Sequence, residues 1–217
     1  MCIRDRVFVL RGAAAPSAPA QVLTLGDPRV ATIAGRGPGG RLGEQVAVVG
    51  DLDGDGLVEF AAADTSVAGD SGAVYVFSLV DGVVPSSVTA ARLTLNNDAA
   101  GAAGDRLGVL LPSAGALGRA GGDLDGDRLG DLVAVAESTG ANGPGLAYRL
   151  AGRRSWPRPA SAAISAADYL FRGPTTGSVL FGSAALWLAD VDGDGFHDLV
   201  VADAQASQGR GRLVVFY

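Results

Sequence analysis

Apolar residues fall in short runs separated by Gly, Asp and Ser, and no run continues with the 3.6-residue period of an amphipathic helix. Residues 60–63, 132–135 and 199–202 are apolar throughout, and each run is followed closely by an acid: Asp64, Glu137 and Asp203. After a Gly/Ser-rich turn, a second run predicts a strand at residues 73–77, 146–150 and 213–217. Residues 7–10 have the same character one period earlier. Residues 22–25, 92–95 and 169–171 read as a further set of short strands. Next come a bulky residue and Gly (Leu42-Gly43, Leu107-Gly108, Phe181-Gly182), then strands such as 45–49 and 186–188. Each period holds about four short strands joined by turns, which describes a propeller blade. A loose stack of hairpins is the alternative. The expected class is all-β: a partial β-propeller of about three four-stranded antiparallel blades, too few to close a ring of about 4–8. The blade periods run approximately 7–77, 78–150 and 151–217.

Between the strands one acidic phrase occurs three times. It reads Asp51-Leu-Asp53-Gly-Asp55-Gly-Leu57-Val-Glu59, then Asp123-Leu-Asp125-Gly-Asp127-Arg128-Leu129-Gly-Asp131, then Asp190-Val-Asp192-Gly-Asp194-Gly-Phe196-His197-Asp198. Carboxylates at positions 1, 3, 5 and 9 of a tight loop can converge on a hard cation, and the carbonyl of position 7 completes an oxygen set that suits Ca²⁺. The candidate ligands are therefore Asp51, Asp53, Asp55, Glu59 and the Leu57 carbonyl in the first loop. Asp123, Asp125, Asp127, Asp131 and the Leu129 carbonyl make up the second. Asp190, Asp192, Asp194, Asp198 and the Phe196 carbonyl make up the third. Mg²⁺ fits less well because it keeps several waters. An EF-hand needs a Glu at position 12 and flanking helices, whereas position 12 here is Ala62, Ala134 or Val201 in an apolar strand. The competing reading is plain hairpin-turn chemistry with solvated carboxylates. Three copies at matched positions argue against it, as does the repulsion of four like charges within each loop. The second loop departs from the others, since Arg128 replaces the Gly of position 6. Arg there must adopt positive φ or alter the turn, and its cation could partly replace calcium.

Charge and composition then narrow the chemistry. The chain of 217 residues carries 23 acids against 17 basic residues, every one an Arg, for a net charge of −6. Twelve of those acids are the proposed ligands, so the net charge is local to the three loops. Without Lys there is no Walker A loop, Schiff base or lysine nucleophile. One His (His197) and one Cys (Cys2) exclude zinc sites built on several such ligands, and any intrachain disulfide. The acidic balance and the lack of a basic face argue against nucleic-acid binding, and no apolar stretch approaches the ~18 residues of a membrane span. Residues 1–6, Met-Cys-Ile-Arg-Asp-Arg, resemble translated adapter sequence at the start of some metagenomic reading frames. The native part is expected to be 7–217, with any signal peptide lost upstream.

The order bulky/Phe-Gly, strand, Asp-x-Asp-x-Asp-Gly-x-x-Asp, strand, turn, Gly-x-Val-Tyr-Val-Phe resembles the FG-GAP repeat of integrin α-subunit-type β-propellers. Phe181-Gly182 matches its first signature, Leu42-Gly43 and Leu107-Gly108 are looser, and the Gly-Ala-Pro signature is replaced by sequences such as Ala62-Ala63-Asp64. The resemblance implies calcium loops on one face of a propeller completed by neighbouring blades, in an extracellular or cell-surface protein. It also implies adhesion, recognition or scaffolding toward a protein or glycan ligand.

Other constellations have simpler readings. Gly69-Asp70-Ser71-Gly72 matches the serine-protease phrase but lacks a His base, and reads as a turn. His197 reads as a solvent-facing loop side chain. Residues 35–40, Gly-Arg-Gly-Pro-Gly-Gly, read as a flexible connection rather than a phosphate cradle. Arg153-Arg154-Ser-Trp156-Pro-Arg158 is a basic-aromatic cluster that reads as exposed Arg with a Trp at a core edge, or as a loop for an acidic partner. The expected function is a non-catalytic calcium-binding module. The alternatives are part of a propeller-fold enzyme, such as a calcium-dependent polysaccharide lyase with its catalytic residues elsewhere, and a purely structural repeat array.

Overall fold

The structure, a computed structural model, describes residues 5–12, 24–98, 104–114, 121–136, 145–154, 156, 160–172 and 181–217. Glu137 and Arg158 lie outside them. The fold is all-β, and the described residues form four sheets of which none closes on itself.

Strands β1 (Arg6–Leu10) and β2 (Val30–Ala34) form an antiparallel pair. The second sheet is an antiparallel meander of β3 (Val46–Gly50), β4 (Glu59–Asp64), β5 (Ala73–Phe77) and β6 (Leu93–Asn96). It has the four strands expected of one period, but it runs from 46 to 96 and so crosses the period boundary expected at 77/78. A fifth strand, β9 (Ala160–Ala163), adds to it in parallel beside β6. The third sheet runs β7 (Leu132–Ala136), β8 (Leu146–Leu150), β10 (Tyr169–Arg172). Ahead of β7, Leu110 makes an isolated bridge to Val135, and residues 115–120 lie outside the described residues. The last sheet is β11 (Phe181–Leu188), β12 (Asp198–Asp203), β13 (Arg212–Phe216).

Two strands differ from expectation. The partner of β1 is β2 at Val30–Ala34. Of the expected strand 22–25, Val22 and Leu23 lie outside the described residues, and Thr24 and Leu25 lead into a turn. Strand β9 arises from an Ala/Ser segment whose small side chains have weak β-propensity, and only its place beside β6 makes it a strand.

Side chains alternate across each strand, and the second and third sheets bury both faces. On one face of the second sheet, Ala61, Ala63, Val74 and Val76 pack with Leu132, Ala134 and Leu150 of the third. On its other face, Ala62, Tyr75 and Phe77 pack with Val7 and Ile33 of the first pair. The far face of the third sheet, Val133, Val135 and Ala147, packs on Trp187, Leu199 and Val201 of the last. The sheets are thus layered face to face, and a central strand covered on both sides reads as an unbroken apolar run.

The bulky-Gly pairs join the layers. Leu42, Leu107 and Phe181 are all buried, and each belongs to a cluster between two sheets. The Gly beside each has positive φ and lies where a Cβ would strike the preceding sheet: Gly108 at 2.6 Å from Ala63 Cβ, Gly182 at 2.5 Å from Val135 Cγ1. Asp5 and Arg6 take part in this frame. Arg6 opens β1 in the register of Ala73, and Asp5, with φ +88°, occupies the register held by Gly72 in β5. The Asp5 carboxylate accepts the Gly37 N–H at 2.8 Å, which ties down the glycine-rich connection at 35–40.

Candidate metal centres

Each acidic phrase forms the turn that leads into a strand, between β3 and β4, before β7, and between β11 and β12. The loops are chained to one another. Gly130 N–H, at position 8 of the second loop, donates to the Asp51 carbonyl at 2.9 Å, and His197 N–H, at position 8 of the third, donates to the Asp123 carbonyl at 3.1 Å. All three therefore share one end of the layered sheets.

Within each loop the same turn recurs. The N–H of position 6 donates to the position-1 carboxylate (Gly56 to Asp51 at 2.9 Å, Arg128 to Asp123 at 2.8 Å, Gly195 to Asp190 at 2.8 Å). The N–H groups of Leu57, Leu129 and Phe196 donate to Asp55, Asp127 and Asp194, at 2.9, 2.8 and 2.9 Å. The N–H of position 2 donates to the position-9 carboxylate, Leu52 to Glu59, Leu124 to Asp131 and Val191 to Asp198. Arg128 accommodates the turn at φ +68°, and its side chain is exposed.

Carboxylate oxygens converge in all three loops: those of Asp51, Asp53 and Glu59, of Asp123, Asp125 and Asp127, and of Asp190, Asp192 and Asp194 lie within 4.8 Å of one another. Two oxygens on one Ca²⁺ at ~2.3–2.6 Å stand no more than about 5 Å apart, so each trio has the spacing to hold an ion. Asp55 lies outside the first trio, and Asp131 and Asp198 outside the other two.

The loops differ in what neutralises them. In the first, Asp51 Oδ1 and Glu59 Oε1 are buried and make no hydrogen bond among the described residues. Glu59 is only 1% exposed. Burial pushes its carboxyl up to about 7, against the Leu52 N–H, with Asp53 and Asp55 adding repulsion. Arg92, just before β6, pairs with Asp53 and, at 3.0 Å, with Asp55. In the third loop Asp198 is fully buried and its Oδ1 makes no hydrogen bond among the described residues, while Asp190, Asp192 and Asp194 are exposed.

The second loop is closed by Arg149 of β8. Its Nε and Nη2 donate to Asp131 Oδ2 at 2.9 and 2.8 Å, and Nη2 also to Asp125 Oδ2 at 2.6 Å. Gly152 N–H donates to Asp131 Oδ1 at 3.0 Å. Burial pushes the Asp131 carboxyl up to about 6, opposed by these donors. The cation that enters this loop is therefore Arg149 and not Arg128. Arg92 and Arg149 escape sequence reasoning because they reach the loops only through strand pairing, with no local signal.

The remaining candidates resolve simply. Ser71 Oγ donates to the Ala68 carbonyl at 2.9 Å, in a turn that includes α1 (Val67–Asp70). His197 is half-buried rather than solvent-facing, because the third loop leans on the second and buries Nδ1. Arg153 stacks over Trp156 at 5.3 Å, Trp156 packs on the main core, and Arg154 donates to the Gly54 carbonyl of the first loop at 3.1 Å. That cluster braces the first loop.

A cleft of about 570 Å³ lies by β5 and β6, lined by Arg36, Tyr75, Thr89, Thr94, Asn96 and Ser161 among others. Among the described residues no carboxylate lines it. Among the described residues no helix is long and apolar enough to cross a membrane. Comparison with protein-family models and with curated proteins finds no match.

Proposed function

We propose that this chain is a calcium-binding module of β-propeller type, serving recognition, adhesion or scaffolding within a larger secreted or cell-surface protein. The observation that carries the reading is the set of buried carboxylate oxygens without hydrogen bonds among the described residues at Asp51 and Glu59, within the first convergent trio, and at Asp198, in the same loop as the third. A buried carboxylate with an unpaired oxygen is costly unless a cation joins it. In the first loop Asp51, Asp53, Asp55, Glu59 and the Leu57 carbonyl would hold the ion, and in the third the corresponding Asp190, Asp192, Asp194, Asp198 and Phe196 carbonyl. A hard divalent ion taking many oxygens fits this donor set, and Ca²⁺ fits it better than Mg²⁺. The ion supplies structure here, joining a loop to the first residue of a central strand.

Layered sheets with bulky-Gly joints support the propeller, and the meander β3–β6 supports the blade as its unit. The cleft by β5 and β6 presents guanidinium, hydroxyl and amide groups without a carboxylate, which suits a hydroxyl-rich or acidic glycan better than acid/base catalysis. An extracellular setting follows from calcium supply: at a Kd of ~10⁻⁴ M, ~1 mM Ca²⁺ stabilises each site by about 1.4 kcal/mol.

Calorimetric titration with Ca²⁺ and Mg²⁺, paired with melting curves in Ca²⁺ and in EDTA, tests the reading. Heat with Ca²⁺ and a fall of Tm in EDTA are expected. No heat and no change in Tm would refute it.

A further inference from the structure

We infer that the second acidic loop carries its counter-ion within the chain, Arg149 standing where the other loops take a metal ion, so that the chain binds calcium at two loops and not three. The inference rests on the calcium reading of the first and third loops.

Register identifies the substitution. Position 10 of each phrase pairs with β5, β8 or β13, as Phe60↔Phe77, Leu132↔Leu150 and Leu199↔Phe216. One residue earlier on the partner strand stand Val76, Arg149 and Val215. The second repeat thus places a guanidinium where the other two place an apolar side chain. It is buried, at 3% exposure, and burial disfavours its charge; Asp131 and Asp125 nevertheless hold its pKa above the ordinary value. A buried guanidinium stays only where carboxylates pair with it.

Its hydrogen bonds complete the loop. Asp131, the position-9 ligand, has both oxygens occupied, Oδ2 by Leu124 N–H and Arg149, Oδ1 by Gly152 N–H. Asp123 accepts Gly126 N–H on one oxygen at 2.7 Å and Arg128 N–H on the other at 2.8 Å, as Asp190 accepts Gly193 and Gly195 N–H in the third loop. The second and third loops therefore differ at position 9 and not at position 1. The first and third loops leave position 9 with an unpartnered oxygen and the second does not. Arg92 in the first loop differs in kind, because it takes Asp53 and Asp55 and leaves Asp51 Oδ1 and Glu59 Oε1 without hydrogen bonds among the described residues. The second loop is also the middle one, hydrogen-bonded to both neighbours. A metal-free lock there keeps the row of loops assembled when calcium is removed.

The test is the stoichiometry of Ca²⁺ binding by calorimetry on the whole chain. The wild type should bind two ions, Asp194→Asn one, and Asp127→Asn, which leaves the Arg149 bonds in place, still two. Arg149→Val, the residue found in the other repeats, should bind three and melt below wild type in EDTA. If that variant does not fold, the Asp127→Asn result stands by itself. Three ions on the wild type, or a loss of one on Asp127→Asn, would overturn the inference and leave the calcium reading intact. So would a folded Arg149→Val that binds two. No binding to the wild type would instead refute the calcium reading, and this inference with it.

Discussion

Glu59→Gln tests whether the first loop is built to wait for a cation. In the metal-free protein the Glu59 carboxyl is buried, accepts one N–H, and has its pKa raised from 4.5 to about 7. At ~1.4 kcal/mol per pKa unit, keeping it ionised in the folded state costs about 3 kcal/mol above pH 7. The folded chain holds this proton more tightly than the unfolded chain. Stability without metal therefore falls as pH rises from about 4.5 to 7, and is level above that. Glutamine keeps the acceptor for Leu52 N–H and cannot ionise. In EDTA at pH 8 the variant should be more stable than wild type by about 3 kcal/mol, or roughly 6–12 °C in Tm for a chain of this size. The difference should shrink toward zero by pH 4.5. In calcium the order of response reverses, because the variant lacks one ligand and gains less from the ion. Urea unfolding across pH 4.5–8, with EDTA and with Ca²⁺, measures all three effects. A variant no more stable than wild type at pH 8 in EDTA, or a difference independent of pH, would refute the reasoning.

Further substitutions address the frame that carries the loops. Gly108→Ala should cost about 3 kcal/mol or more, because its φ is +90° and the new Cβ would lie 2.6 Å from Ala63 Cβ; a drop in the urea midpoint at unchanged m-value checks it. Asp64→Ala should cost about 1–3 kcal/mol, since the buried carboxylate at the end of β4 accepts Arg41 N–H at 3.1 Å, Ser66 N–H at 3.0 Å and Ser66 Oγ at 2.6 Å. Thermal melts show it, and Asp64→Asn should recover part of the loss.

Much of the site was legible because its chemistry is local. Positions 1, 3, 5 and 9 sit within nine residues, and the loop's own N–H groups fold the carboxylates together whatever surrounds them. The strands that follow were legible for a related reason: β4, β5 and β7 are covered on both faces, so nearly every residue is apolar. Strand β9 was not, because Ala and Ser carry little preference and its extended form comes from pairing with β6, more than sixty residues away in sequence. The strand Val30–Ala34 that pairs with β1 was not read from the sequence at all, and half of the run at 22–25 lies outside the described residues.

By itself the sequence determined the all-β class, the repeat, and the three acidic loops with their candidate oxygens. Only the tertiary structure decided which of these carboxylates meet a guanidinium. Arg149 lies 18 residues from Asp131, and Arg92 lies 39 from Asp53. Strand pairing brings each guanidinium to its carboxylates, and burial then decides which charges must be matched. A periodic phrase makes three loops alike in sequence. One valine-to-arginine difference on the neighbouring strand makes the middle one different in charge.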